Sequence, residues 1–126
     1  MKNIFSIASF TILCIFGTSF LSPVIAQNTT HRVPMFENDD VKVWKTILIP
    51  NSPLAMHRHE HGRTIVVLKG GTLTIKKDSG ESEKVVWETG KAYWLDADPP
   101  GNQLHADINE TSEIIEVMVI ENKKDK

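Results

Sequence analysis

An all-β fold, a barrel or a sandwich, is predicted by three features of the sequence. No window carries a helical apolar repeat of any length. Short strand-like runs follow one another from Val41 almost to the C-terminus, and the breaks between them have turn chemistry: "KGG", "DSGE", "ETG", "DADPPGN" and "NETS". The length of 126 residues and 40% hydrophobic content suit one domain with a modest core.

The first segment is not part of that fold. Lys2 and Asn3 precede a mostly apolar stretch from Ile4 to Phe20, and "LSPVIA" then places Val24 and Ala26 at small-residue positions before Gln27. A positive start, an apolar run and a V-x-A site describe a secretory signal peptide over residues 1–26. Read instead as an uncleaved anchor, the run is interrupted by Ser, Thr, Gly and Pro, where a span needs about 20 apolar residues. Cleavage after Ala26 leaves 100 residues with no membrane anchor and removes the single cysteine, Cys14. Leu13 stands where a small residue should precede a lipidated cysteine. The expected product is exported, periplasmic or extracellular, and has no disulfide, so packing alone stabilises it.

Residues 27–35 are polar and aperiodic, a flexible arm or an edge strand, and the N-terminal arm as a whole is set at residues 27–40. In the next run Val41, Val43, Ile47 and Ile49 fall on one side of a period-2 ladder, with Trp44 and Leu48 on the other. Strands are expected at "RTIVVL", "TLTIKK", "KVVW", "AYWL", "LHADI" and "EIIEVMVIE", which sets the barrel at residues 41–121. The last run is apolar at nearly every position, the pattern of a strand buried on both faces. Residues 122–126 form a solvated charged tail. Trp87, Tyr93 and Trp94 are read as barrel core or rim. Asp96 and Asp98 are read as exposed turn residues whose spacing supplies too few oxygens for calcium.

Without Lys2 the chain has 13 basic and 16 acidic residues, a formal charge of −3. Such a balance argues against a nucleic-acid partner. The chemistry lies in "HRHEHGR". His57 and His59 stand at i and i+2, so on an extended chain both imidazoles point to one side. His61 would continue the row, but "EHG" reads as a turn, which makes His61 a spare candidate. His105 lies far along the chain on another short strand, which a barrel could bring opposite the pair. A lone histidine near a loop end carries little information. An H-x-H pair with a distant third on a β scaffold points to a divalent transition metal; imidazole suits Zn, Cu, Fe and Ni, and ligand type does not choose among Fe, Mn, Ni, Cu and Zn.

These residues resemble the cupin superfamily, whose motifs read G-x5-H-x-H-x3-4-E-x6-G and G-x5-P-x-G-x2-H-x3-N. Asn51, His57, His59, Arg63 and Gly70 keep every interval of the first, with Asn51 and Arg63 in place of its glycine and glutamate. Asn is a mild change there, because it tolerates the left-handed backbone conformation. Gly90, Pro99, Gly101, His105 and Asn109 follow the second, with three extra residues before Pro99 and one before His105. The resemblance covers residues 41–120. It implies a double-stranded β-helix (jelly-roll-like) barrel, His57, His59 and His105 as metal ligands, and a homodimer paired through exposed strands. It implies less about the reaction, since one fold hosts many chemistries.

Arg63 replaces the family's carboxylate. A guanidinium about 5 Å from a divalent cation would repel it by roughly 6–7 kcal/mol at an effective dielectric of about 20. Three arrangements follow: Arg63 turns away to Glu60, Asp96 or Asp98; the site holds no metal; or an anionic ligand bridges metal and arginine. A surface ion pair is the plain alternative for Arg63. The expected function is therefore a three-histidine metal site that binds a small anionic molecule, as a metal-dependent dioxygenase or isomerase. A metal-free, non-catalytic binding module with Arg63 as its anion anchor is the other reading, and a purely structural metal is a third.

Overall fold

The computed structural model describes residues 28–101 and 103–124, so the expected signal peptide lies outside the described residues. The described residues contain eight strands: β1 (His31–Glu37), β2 (Val41–Leu48), β3 (Arg63–Lys69), β4 (Gly71–Lys77), β5 (Ser82–Trp87), β6 (Ala92–Leu95), β7 (His105–Asn109) and β8 (Ile115–Asn122). They form a five-stranded sheet in the order β1-β2-β8-β3-β6 and a three-stranded sheet in the order β5-β4-β7. The neighbours pair antiparallel throughout. Every expected strand is present, and the alternative of an edge strand within residues 27–40 is realised as β1. Pro34 and a register irregularity between Pro34 and Phe36 fit that position, since an edge strand tolerates a residue without an N–H donor.

Between the sheets lies one apolar core of Trp44, Leu48, Ile65, Val67, Leu73, Trp87, Ile115, Val117 and Val119. On β2 the inward row is Trp44, Thr46 and Leu48, while Val41 and Ile47 on the opposite face are only half-buried. The expectation that β8 is buried on both faces is corrected. Ile115, Val117 and Val119 are buried, but Glu116, Met118 and Ile120 are half-buried. β8 has a partner strand on either side, yet only one face of its sheet meets the other sheet, so alternate residues reach the core. Trp87 is core as expected, Tyr93 packs against it, and Trp94 is exposed.

The motif positions carry the backbone demands. Asn51 has φ 56° and Gly90 φ 81°, both in the left-handed region. A Cβ on Gly70 would lie 2.1 Å from the carbonyl oxygen of Trp87, so no side chain fits there. Asn109 is fully buried and pins the turn before β8. Its Nδ2 donates to the carbonyls of Leu48 (2.8 Å) and Glu113 (2.7 Å), and its Oδ1 accepts from the Thr111 amide at 3.0 Å. Of the tail's charged residues, Lys123 and Lys124 are described; both are exposed and both make ion pairs. Lys123 reaches Glu37 at 2.9 Å and Lys124 reaches Asp40 at 2.6 Å, which ties the end of β8 to the β1–β2 turn.

Leu73 is fully buried at the centre of the core. Leu73→Ala is expected to destabilise the fold by about 2–5 kcal/mol through lost transfer energy and a residual cavity. Urea unfolding monitored by tryptophan fluorescence measures it, and a loss below about 1 kcal/mol would mean the core repacks freely around this position.

Candidate functional site

Two backbone pairings bring the histidines together. His57 and His105 form an isolated antiparallel bridge, each amide donating to the other's carbonyl at 2.9 Å. Beside it, the His59 amide donates to the Asp98 carboxylate at 2.6 Å, and the Asp98 amide returns a bond to the His59 carbonyl at 2.9 Å. The segment between β2 and β3 is thus held against β7 on one side and the β6–β7 loop on the other. The i, i+2 spacing then turns both imidazoles of the pair towards His105. Ring centroids lie 4.9 Å apart for His57 and His59, 4.4 Å for His57 and His105, and 5.5 Å for His59 and His105.

One ring nitrogen from each of the three falls within 4.8 Å of the others, a grouping that could hold a metal ion. His61 is not in this group; it lies on a bend and lines an outer groove together with His59.

The hydrogen bonds fix which nitrogens are available. Nδ1 of His57 donates to the Ala55 carbonyl at 2.8 Å, which leaves Nε2 with a lone pair. That Nε2 is buried and, among the described residues, has no hydrogen-bond partner. Its closest carboxylate, Asp107, is 3.8 Å away. Nδ1 of His59 faces Glu121 Oε2 at 3.3 Å, and Nδ1 of His105 lies 3.6 Å from Asp98 Oδ2. Carboxylates and carbonyls behind imidazoles are the usual outer partners of metal-binding histidines, because they fix tautomer and orientation. Burial lowers the pKa of His57, and burial followed by the charge of Arg63 lowers that of His59 to about 2. Both rings are therefore neutral at ordinary pH, the form that binds metal.

Arg63 is inside the protein, not on its surface. It begins the inward row of β3 ahead of Ile65 and Val67 and is 6% exposed. It does not turn to a carboxylate as one arrangement proposed. Among the described residues its hydrogen bond goes from Nη1 to the backbone carbonyl of Asp96, 3.1 Å away, and no carboxylate lies within 4.0 Å. Burial pulls its pKa below the usual arginine value, while Asp98, Asp107 and Glu121 oppose that shift from a greater distance.

Several residues of the site were missed in sequence. Asp98 is half-buried and bonded to His59, not exposed in a turn. Asp107 lines the internal cavity at i+2 from His105, a spacing that could have revealed it. Glu121 is brought opposite Arg63 only by the β3–β8 register. Arg32, from β1, stands 5.1 Å over the Trp44 ring and lines the same cavity. The carboxylates of Asp98, Asp107 and Glu121 outnumber the guanidiniums of Arg32 and Arg63 by one. Their side chains are only 22%, 16% and 18% exposed, so solvent does not screen them away. Among these five groups the formal charge is therefore −1.

No family model and no curated protein matches this sequence. Solved structures do match in fold. A cupin domain from Bordetella pertussis Tohama I superposes with TM-score 0.67 at 21% identity, over 79% of this chain and 99% of that one. A double-stranded β-helix protein from Klebsiella pneumoniae gives 0.57 at 19% identity, over 77% and 79%. An RmlC-like cupin from Methanocaldococcus jannaschii gives 0.57 at 15%, over 86% and 92%.

Proposed function

From a chain that has the cupin double-stranded β-helix fold, we propose that the protein binds a divalent transition metal through His57, His59 and His105 and takes up a small anionic molecule beside it. The observation that carries this reading is the buried, unpartnered Nε2 of His57 within a cluster of three imidazoles. A buried lone pair without a donor is costly, and a metal ion would satisfy it.

The residues present suit such an ion. Imidazoles from His57, His59 and His105 would hold it, and Ala55, Glu121 and Asp98 orient them. When bound, a metal on three neutral ligands supplies Lewis acidity at open positions, the property a dioxygenase or isomerase uses. The protein supplies the rest. Asp98, Asp107 and Glu121 lower the potential felt by a cation, while Arg63 offers a planar fork to a carboxylate. The apolar residues Trp44, Leu54, Ile65 and Val117 line a cavity of about 50 Å³ next to the histidines, room for about four waters at most.

A metal-free binding module is the second reading, favoured by the buried guanidinium that has no carboxylate close to it. Elemental analysis of protein purified from its own compartment without an affinity tag tests the two. A near-stoichiometric transition metal is expected, and metal-free protein that also fails to take up added Zn(II), Fe(II), Mn(II), Ni(II) or Cu(II) would leave only the binder.

Export and dimerisation belong to the same proposal. The working protein begins at Gln27, and its intact mass is expected to correspond to residues 27–126. A full-length product in the membrane fraction would overturn the assignment to the periplasm or the exterior. Sedimentation equilibrium checks the homodimer.

A further inference from the structure

The inward-facing guanidinium of Arg63 is an unusual object. A buried charge is normally paired, because desolvation otherwise costs several kcal/mol. A guanidinium carries five N–H donors; here, among the described residues, one bond goes from Nη1 to the Asp96 backbone carbonyl, and no carboxylate lies within 4.0 Å. Arg63 also lies where two spaces meet. It lines the internal cavity and, with His105, Ile75 and Leu95, a second groove of about 420 Å³ that opens between the sheets. Trp94, Pro99 and Leu104 continue the apolar wall of that groove.

Trp94 is 55% exposed and is held by two contacts. Its Nε1 donates to Asp96 Oδ1 at 2.8 Å, and its ring packs so closely on Gly62 that a Cβ there would lie 2.4 Å from it. A large aromatic fixed at the wall of an open groove gives contact area with little ordering cost. Charged groups line both large grooves, Lys77, Glu83, Asp96 and Asp98 in this one and Lys42, Glu60 and Lys123 in the other. Only this one reaches Arg63; the other touches the site through His59 and Arg32.

We infer that the ligand is a monocarboxylate on an apolar or aromatic body, its carboxylate at Arg63 and its body in the groove walled by Trp94, Leu95 and Pro99. This rests on the reading of the site as an anion-binding one beside the histidines. The planar fork matches a carboxylate in two parallel bonds. A single negative charge fits better than a phosphate dianion because Asp98 stands in the same groove and would repel the second charge. The internal cavity alone is too small for a body larger than a few atoms, whereas a groove of about 420 Å³ lies in the range of small-molecule sites.

Calorimetric titration of the purified protein with acetate, phenylacetate and phenylacetamide, in excess EDTA and again with saturating Zn(II), tests it. Phenylacetate is expected to bind at least tenfold more tightly than either analogue, and more tightly still with Zn(II). Arg63→Met removes the preference over phenylacetamide, and Trp94→Leu removes the preference over acetate. Asp98→Asn keeps an acceptor for the His59 amide and removes the repelling charge, so phenylacetate binds several-fold more tightly. If Arg63→Met fails to fold, Arg63→Lys keeps the charge but not the fork and is expected to weaken phenylacetate by several-fold. Equal affinity for phenylacetate and phenylacetamide in wild type, or unchanged binding in a folded Arg63 variant, overturns the inference. The two proposals fail separately. Zn(II) bound through the histidines with no phenylacetate affinity sinks the carboxylate alone, whereas Arg63-dependent phenylacetate binding without any metal uptake sinks the metal centre alone.

Discussion

His57→Ala, His59→Ala and His105→Ala are each expected to abolish stable metal binding, while His61→Ala leaves it nearly unchanged. Each of the three supplies one of the nitrogens that converge within 4.8 Å, and His61 is outside that group. Losing an outer partner of a metal ligand costs roughly 10–100-fold in affinity, so losing a ligand from a set of three should cost more. The effect should be local. His57 and His105 are held by backbone hydrogen bonds that an alanine keeps, so the bridge between them survives the substitutions. Removing the His57 ring also removes a buried lone pair that has no partner, so metal-free His57→Ala should unfold at the same temperature as metal-free wild type or slightly higher. Metal content after dialysis, read beside thermal unfolding with and without added Zn(II), separates binding from folding. Equal losses from all four substitutions would show that the ligand set is wrong. A loss of fold in metal-free His57→Ala would make that ring a structural element instead.

Arg63→Glu is expected to raise divalent metal affinity on the order of 100-fold, about 2.7 kcal/mol. The substitution removes a charge that opposes a cation and places a carboxylate at the family's ligand position, on the inward row of β3. The gain is well below the roughly 6–7 kcal/mol of an unshielded repulsion. Asp98, Asp107 and Glu121 already offset much of the guanidinium in the wild-type protein. The same carboxylates give the variant a second signature. Without metal, a fourth negative charge beside them lowers stability, so the unfolding temperature should fall below that of wild type and rise further than wild type when Zn(II) is added. Arg63→Met removes the repulsion without adding a ligand, and should recover part of the affinity gain. Titration of Zn(II) into the three proteins, with unfolding followed at each concentration, decides it. Indistinguishable affinities would mean that Arg63 is electrostatically remote from the metal position.

The fold and the histidine trio were legible in sequence because both rest on local rules. Alternation with period 2 marked the strands, the turn residues marked their ends, and H-x-H placed two rings on one side of the chain whatever the rest of the fold did. Motif spacing added His105 as a partner and Asn51 as a left-handed residue, and the φ of 56° agrees. The edge strand β1 was only one of two options, since an aperiodic polar run acquires its pairing from β2 and not from its own pattern. The half-covered outer face of β8 was misread because apolar composition does not say which face of a sheet meets its partner. What only the tertiary structure decided is the electrical character of the site. Whether Arg63 faced in or out, and which groups balance it, depends on the β3–β8 register that sets Glu121 opposite it, on the half-buried position of Asp98, and on Arg32 arriving from a distant strand. Side-chain alternation acts between near neighbours along the chain, whereas strand register and Coulomb forces join residues the sequence keeps far apart.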